Sequence, residues 1–210
     1  LILLFVWPRT IYCSESQNLE KKEIKKMSGF SISEKNQQEL LKLARSSISC
    51  YLDQRQYMKY ETSDPELTAP GAVFVTLTSG GNLRGCIGTT EARGPLWEAV
   101  LQLACAAAFQ DSRFRPLSAT ELKHVHIEIS VLSPMMRVGS HEEIQQNTHG
   151  VMVKRGRSSG LFLPQVWEHF DKREDFLSEL CSQKAGLPRD AYKMPDTELY
   201  VFTVFPFEEP

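Results

Sequence analysis

The sequence predicts an α+β fold: a mainly antiparallel sheet with helices packed on it. Three observations predict it. Residues 124–132, HVHIEISVL, alternate polar and apolar side chains, with Val125, Ile127, Ile129 and Val131 on one face, the period of a half-buried strand. Glycine-bearing stretches at 79–82 and 155–160 join apolar runs as hairpin turns do, because glycine supplies the positive φ a tight turn needs. Strands and helices then follow one another without the strict alternation of a parallel βαβ fold.

In chain order, Ser31-Ile32-Ser33-Glu34 has the spacing of a capping box. Leu40, Leu41, Ala44, Ile48, Tyr51 and Leu52 recur behind it at helical spacing, which predicts an amphipathic helix packed on the sheet. Residues 61–70 are a loop punctuated by Pro65 and Pro70. GAVFVTLT (71–78) is rich in β-branched and aromatic residues and reads as a strand; LRGCIG (83–88) is its return strand. Pro95 opens a helix whose Leu96, Ala99, Val100, Leu103, Ala107 and Ala108 line one close-packing face. QDSRFRP (110–116) is irregular, and Ser118 with Glu121 caps a short helix. After the 124–132 strand, residues 140–147 predict a brief helix, and VMVK (151–154) with LFLPQV (161–166) a second hairpin. Residues 173–184 predict an amphipathic helix ended by Gly186 and Pro188, and LYVFTVFPF (199–207) one strand buried on both faces.

The composition, 41% hydrophobic and 24% charged over 210 residues, is that of a globular protein able to bury a core in one domain. A formal net charge of -2 removes the summed positive field behind generic nucleic-acid binding, and Lys154-Arg155-Gly156-Arg157 reads as an exposed hairpin tip. The five cysteines form no CxxC pair and no zinc spacing, and the five histidines form no HExxH. They read as reduced thiols of a cytoplasmic protein with no metal site. Neither GxGxxG nor GxxxxGK[ST] occurs. LILLFVW at the start is too short to cross a bilayer, which takes about 20 apolar residues, so no membrane association is expected. Met27-Ser28-Gly29 resembles a natural start. Residues 1–26 therefore read as a non-native or disordered extension, with a secretory remnant as the alternative, and 27–210 as a single domain.

The chemistry concentrates around LRGCIG. Residues two apart in a strand share a face at about 7 Å, so Arg84 and Cys86 are expected side by side, the guanidinium favouring the thiolate that a nucleophile or redox thiol needs. Gly85 and Gly88 leave room for a ligand, or else for another backbone or a helix, in which case Cys86 is a small core side chain. Asp111, Arg113 and Arg115 follow a helix C-terminus, where a carboxylate is disfavoured. Asp111 is therefore expected to have a partner: Arg113 bracing the loop, or a bound ligand. Glu128 lies mid-strand on the polar face with Ser130 and is the site candidate there, while His124 and His126 read as solvated. His149, ahead of Gly150, is either a loop hydrogen-bonder or an acid/base group. Gln165, after Pro164, reads most plainly as a partner for backbone groups.

Taken together, LRGCIG, DSRFRPL (111–117), EISVLS (128–133), HGVMV (149–153), GLFLPQV (160–166) and LCSQKAGLP (180–188) resemble the AMMECR domain family, whose prokaryotic branch is named AmmeMemoRadiSam system protein A. The resemblance covers about residues 31–208. It implies a compact α+β domain with a smaller subdomain and a cleft, and LRGCIG as the functional centre, with no established reaction and no identified cofactor. It implies association with radical SAM and Memo-type proteins. Carried over by position, the implied ligand-binding residues are Arg84, Gly85, Gly88, Asp111, Arg113, Phe114 and Gln165.

Two functions compete on this reading. One is an enzyme or enzyme subunit in which Cys86 is nucleophile or redox thiol, Arg84 stabilises the thiolate or binds an anion, and His149 or Glu128 transfers protons. The other is a non-catalytic module that binds a small-molecule ligand or a partner protein through Arg84, Asp111 and Arg113.

Overall fold

The computed structural model describes residues 30–210, so the expectations for residues 1–26 and for a start at Met27 lie outside the described residues. The chain divides into two units: the first runs to Leu132 and regains Phe205–Pro210, and the second is Ser133–Val204.

In the first unit, helix α1 spans Glu34–Gln54 and buries Leu40, Leu41, Ala44 and Ile48 of the predicted stripe together with Leu43, which was not part of it, while Tyr51 and Leu52 are half-buried. Its expected capping box at Ser31 does not form. The helix starts after Ser33, whose hydroxyl and amide both donate to the Glu66 carboxylate rather than capping the helix. Inside the predicted 61–70 loop lies a short helix, α2 (Pro65–Thr68), capped by Asp64, which accepts from the Glu66 amide. Strands β1 (Ala72–Ser79) and β2 (Asn82–Gly88) form the predicted hairpin, with Gly80 and Gly81 at φ 56° and 77° supplying the turn. Helix α3 spans Leu96–Phe109, with Pro95 as its cap residue, and α4 is Ala119–Leu122 with the predicted Ser118–Glu121 capping box. Strand β3 is Val125–Leu132 and β8 is Val204–Glu208; the sheet order is β2-β1-β3-β8. Val73, Val75, Leu77, Ile87 and the alternate apolar residues of β3 form one core with Leu40, Ala44 and Ile48 of α1 and Val100, Ala104 and Ala108 of α3. The apolar sheet face is thus the helix-covered one, as period-two alternation requires.

The second unit holds β4 (Met136–Val138), β5 (Gly150–Arg155), β6 (Ser158–Phe162) and β7 (Glu198–Phe202) in the order β4-β7-β5-β6, with helix α5 (Arg173–Glu179). β4 was not predicted, and His141–Glu143 forms a single 3₁₀ turn where a longer helix was expected. β6 is shorter than expected because Pro164, lacking an amide donor, begins a 3₁₀ turn over Pro164–His169. That turn seats Trp167 on Phe176, with ring centroids 3.6 Å apart. The predicted 173–184 helix changes character halfway: α5 continues as a π-helical turn, Leu180–Lys184, before Gly186 turns at φ 64°.

The predicted strand 199–207 is two strands in two sheets. It breaks at Thr203, whose amide donates to Ser133 Oγ and whose carbonyl accepts from the Ser133 amide, both at 2.9 Å. The run is apolar on either side of the break because β7 and β8 each lie in a core of their own.

Candidate functional site

LRGCIG is an edge strand: β2 has β1 on one side only. Cys86 pairs with Thr76, and Gly85 with Leu77, but Leu83 pairs with Thr78, so Arg84 is an extra residue bulged out of register. A bulge re-aims its side chain. The expectation that two-residue spacing sets Arg84 beside the Cys86 sulfur is therefore corrected. Arg84 Nε donates to Glu121 Oε1 at 3.1 Å and Nη2 to the Arg115 carbonyl at 2.8 Å. The Arg84 guanidinium, with the Ser118 amide and hydroxyl, holds the Glu121 carboxyl down to about 2.

The cation that acts on Cys86 comes from 27 residues further on. Arg113 lies against the Cys86 carbonyl (3.3 Å) and the Asp111 carboxylate (2.7 Å). Asp111, 4% exposed, accepts the Cys86 amide on Oδ2 at 2.9 Å and the Arg113 backbone amide on Oδ1 at 3.1 Å. Asp111 and Arg113 thus occupy the outward-facing peptide groups of Cys86, where a further strand would otherwise pair. Asp111 has the partner its position demanded, and loop 110–116 is fastened to the strand edge. Burial pushes the Asp111 carboxyl up, but the Arg113 guanidinium and the two amides outweigh it and hold the group below its ordinary range.

Cys86 is 7% exposed, and its sulfur accepts from Thr76 Oγ1 at 3.3 Å. Burial pushes its thiol above the ordinary range; the Thr76 hydroxyl and Arg113 oppose this, and Asp111 and Glu128 reinforce it. The thiolate promotion expected from Arg84 is absent, because desolvation outweighs the nearby donors. The two glycines are also filled. A Cβ on Gly85 would stand 2.2 Å from the Ala107 carbonyl oxygen of α3, and one on Gly88 would stand 2.2 Å from Phe74 Cδ1. Missing side chains here admit a helix backbone and a cross-strand ring.

Sequence reasoning missed Thr76. Its register places it opposite Cys86 on one side and Glu128 on the other, so thiol, hydroxyl and carboxylate stand abreast across three strands, with Ser130 Oγ 3.4 Å from Glu128 Oε1. The alternate polar position in GAVFVTLT was the available signal. Phe114 lies between two guanidiniums, 5.8 Å from Arg84 Cζ and 5.5 Å from Arg113 Cζ, a double cation–π contact.

Arg84, Gly85, Cys86, Gly88, Asp111, Arg113, Phe114 and Glu128 all belong to the first unit, whereas His149 and Gln165 belong to the second. His149 Nδ1 accepts the Gln145 amide at 3.1 Å, its carbonyl accepts Trp167 Nε1, and burial holds its imidazole below the ordinary range. Gln165 is exposed on the Pro164–His169 turn. Cys50, Cys86, Cys105 and Cys181 are free thiols. Among the described residues, no three His, Cys, Asp or Glu side chains gather as metal ligands, and no helix is long and apolar enough to cross a membrane.

The AMMECR1 family model matches residues 41–207. Protein MK0488 of Methanopyrus kandleri is 41% identical over 181 residues, 81% of this chain and 86% of that protein. Protein NEQ441 of Nanoarchaeum equitans is 39% identical over 179 residues, 81% of this chain and 98% of that protein. The crystal structure of the uncharacterized protein PH0010 from Pyrococcus horikoshii matches with a TM-score of 0.70 and 38% identity, covering 86% of this chain and 94% of that one.

Proposed function

This chain belongs to the AMMECR1 family, and from that premise we propose that it is a binding module for a partner protein, with the recognition surface formed by loop 110–116 where it is fastened to β2. The observation that carries this reading is the use made of LRGCIG. Its cysteine is sealed and protonated, both peptide groups of that residue are held by Asp111 and Arg113, and its glycines are filled by protein. What the arrangement presents is the loop itself: Phe114 braced between guanidiniums, a quarter-exposed Arg113 and an exposed Arg115, three arginines against the two carboxylates of Asp111 and Glu121. A rigid loop carrying an aromatic ring and arginines has the composition of an interface anchor.

The partners to test first are the radical SAM and Memo-type proteins that the family resemblance implies, in the cytoplasm. Each is presented to wild type, Cys86→Ser and a Phe114→Ala/Arg115→Glu double variant. Retention by Cys86→Ser and loss by the double variant support the module. The reverse pattern overturns it.

A second reading keeps the thiol enzyme, favoured by the Cys86–Thr76–Glu128 row on one sheet face. It requires the sulfur to react in the folded state. Iodoacetamide labelling followed by mass spectrometry tests this requirement: Cys86 labelled as fast in native protein as in urea would meet it, whereas labelling only on unfolding removes the enzyme reading.

A further inference from the structure

The first unit holds a cavity of about 330 Å³ that belongs to none of the groups above. It opens where the chain leaves β2: residues Thr89, Glu91, Arg93 and Gly94 form one wall, and Glu98, Ala99, Gln102 and Leu103 of α3 form the other. The volume is at the small end of the range for small-molecule sites.

The polar groups of the cavity divide unequally. Arg93 Nε donates to Glu91 Oε2 at 2.7 Å, so these two exposed rim charges neutralise each other. The Thr89 hydroxyl is turned to its own loop, donating to the Glu91 carbonyl. Glu98 is left as the unneutralised charge. Gln102 Nε2 donates to its Oε1 at 3.1 Å on an exposed stretch of the helix, and its Oε2 lies beside Gly94. A Cβ on Gly94 would lie 3.7 Å from that oxygen, so the glycine leaves the approach to the carboxylate uncovered. Pro95, Ala99 and Leu103 are the apolar part of the lining.

A carboxylate beside an apolar lining, with the nearby Arg93 charge paired to Glu91, complements a small protonated amine with a hydrocarbon body. We propose that this cavity is a binding site for such an amine, its ammonium on Glu98 Oε2 and the Gln102 amide oxygen, its chain on Ala99 and Leu103. An anion meets the Glu98 charge, and a neutral isostere gives up the ion pair.

Backbone amide NMR of the whole chain, titrated with n-pentylammonium chloride, n-pentanol and sodium pentanoate, tests this directly. The expected result is saturable shifts in Thr89–Gly94 and the first turns of α3 with the ammonium ion only. Glu98→Gln, which keeps the shape and an acceptor, weakens that binding about tenfold or more, the size of a charge-assisted hydrogen bond. Sodium chloride at the same ionic strength serves as the screening control. Shifts of equal size with pentanol, unchanged binding in Glu98→Gln, or no saturable shift in these residues would each overturn the assignment.

Discussion

Replacing Gly85 with alanine separates an architectural glycine from a ligand-admitting one. The added Cβ would stand 2.2 Å from the carbonyl oxygen of Ala107 and 3.1 Å from its carbonyl carbon, both backbone atoms of α3. No rotamer change relieves a clash with backbone. Since real Cβ contacts do not fall below 3.0 Å, the helix or the strand must move by at least about 0.8 Å. Ala104, Ala107 and Ala108 pack that helix tightly into the core, so the shift propagates. Overpacking of this kind costs about 1–3 kcal/mol, and the lower entropy of an unfolded chain carrying alanine returns about 0.4–1 kcal/mol. The expected net loss is about 1.3 kcal/mol, or about 3–5 °C in Tm for a chain of this size. Gly94→Ala is the internal control: its Cβ meets only Glu98 Oε2 at 3.7 Å, an ordinary contact, so stability should hold or rise slightly. Urea unfolding followed by circular dichroism measures both variants. If Gly85→Ala is as stable as Gly94→Ala, the glycine does not serve helix packing and the reasoning about LRGCIG fails.

Asp111→Asn keeps an acceptor for the Cys86 amide but loses the charge facing Arg113, and should cost about 2 kcal/mol at neutral pH. Because the folded-state carboxyl lies below its ordinary range, its contribution is complete above about pH 4 and disappears as pH falls through the folded value, so wild-type and variant stabilities should converge in acid; a constant gap down to about pH 3 refutes this. For His149 the sign is opposite to that of a paired histidine: burial lowers its folded pKa, so stability is complete above the unfolded value of about 6.5 and declines as pH falls from there toward the folded one. Thermal melts from pH 8 to 5 should show that decline in wild type and not in His149→Gln, and equal slopes would count against it. Glu209 accepts from Arg45 and from the Ile127 amide, tying the segment after β8 to α1 and β3; Glu209→Ala should lower urea stability by about 1–2 kcal/mol, and no change would mean these contacts are solvent-equivalent.

The legible parts of this fold are those written in local pattern. The alternation of 125–131 and the Gly80-Gly81 turn fix a strand and a hairpin without tertiary information, and Ser118 with Glu121 caps α4 as its spacing requires. The capping box at Ser31 fails because the helix starts two residues later, after Ser33, whose amide and hydroxyl donate to Glu66, more than thirty residues on. Phe202 and Val204 look continuous because each side of Thr203 is apolar for a different sheet, and no glycine or proline marks the break. At the site, residue identity pointed to Cys86, Asp111 and Arg113, and they do meet. Their roles were not legible, since the bulge at Arg84 depends on pairing with β1 and the sealing of Cys86 depends on three-dimensional burial. Nearness in sequence singled out Arg84 as the cation, whereas folding delivers Arg113.

The order of pieces along the polypeptide also dictates a schedule. β8 belongs to the sheet begun by β1–β3, yet its codons follow those of the entire second unit. During translation the β3 margin must therefore wait, unpaired, while residues 133–204 emerge and assemble as a contiguous module. β8 then closes a long loop onto β3, a pairing of high sequence separation that raises the contact order of this sheet, and until it docks the β3 margin offers unpaired peptide groups to other chains.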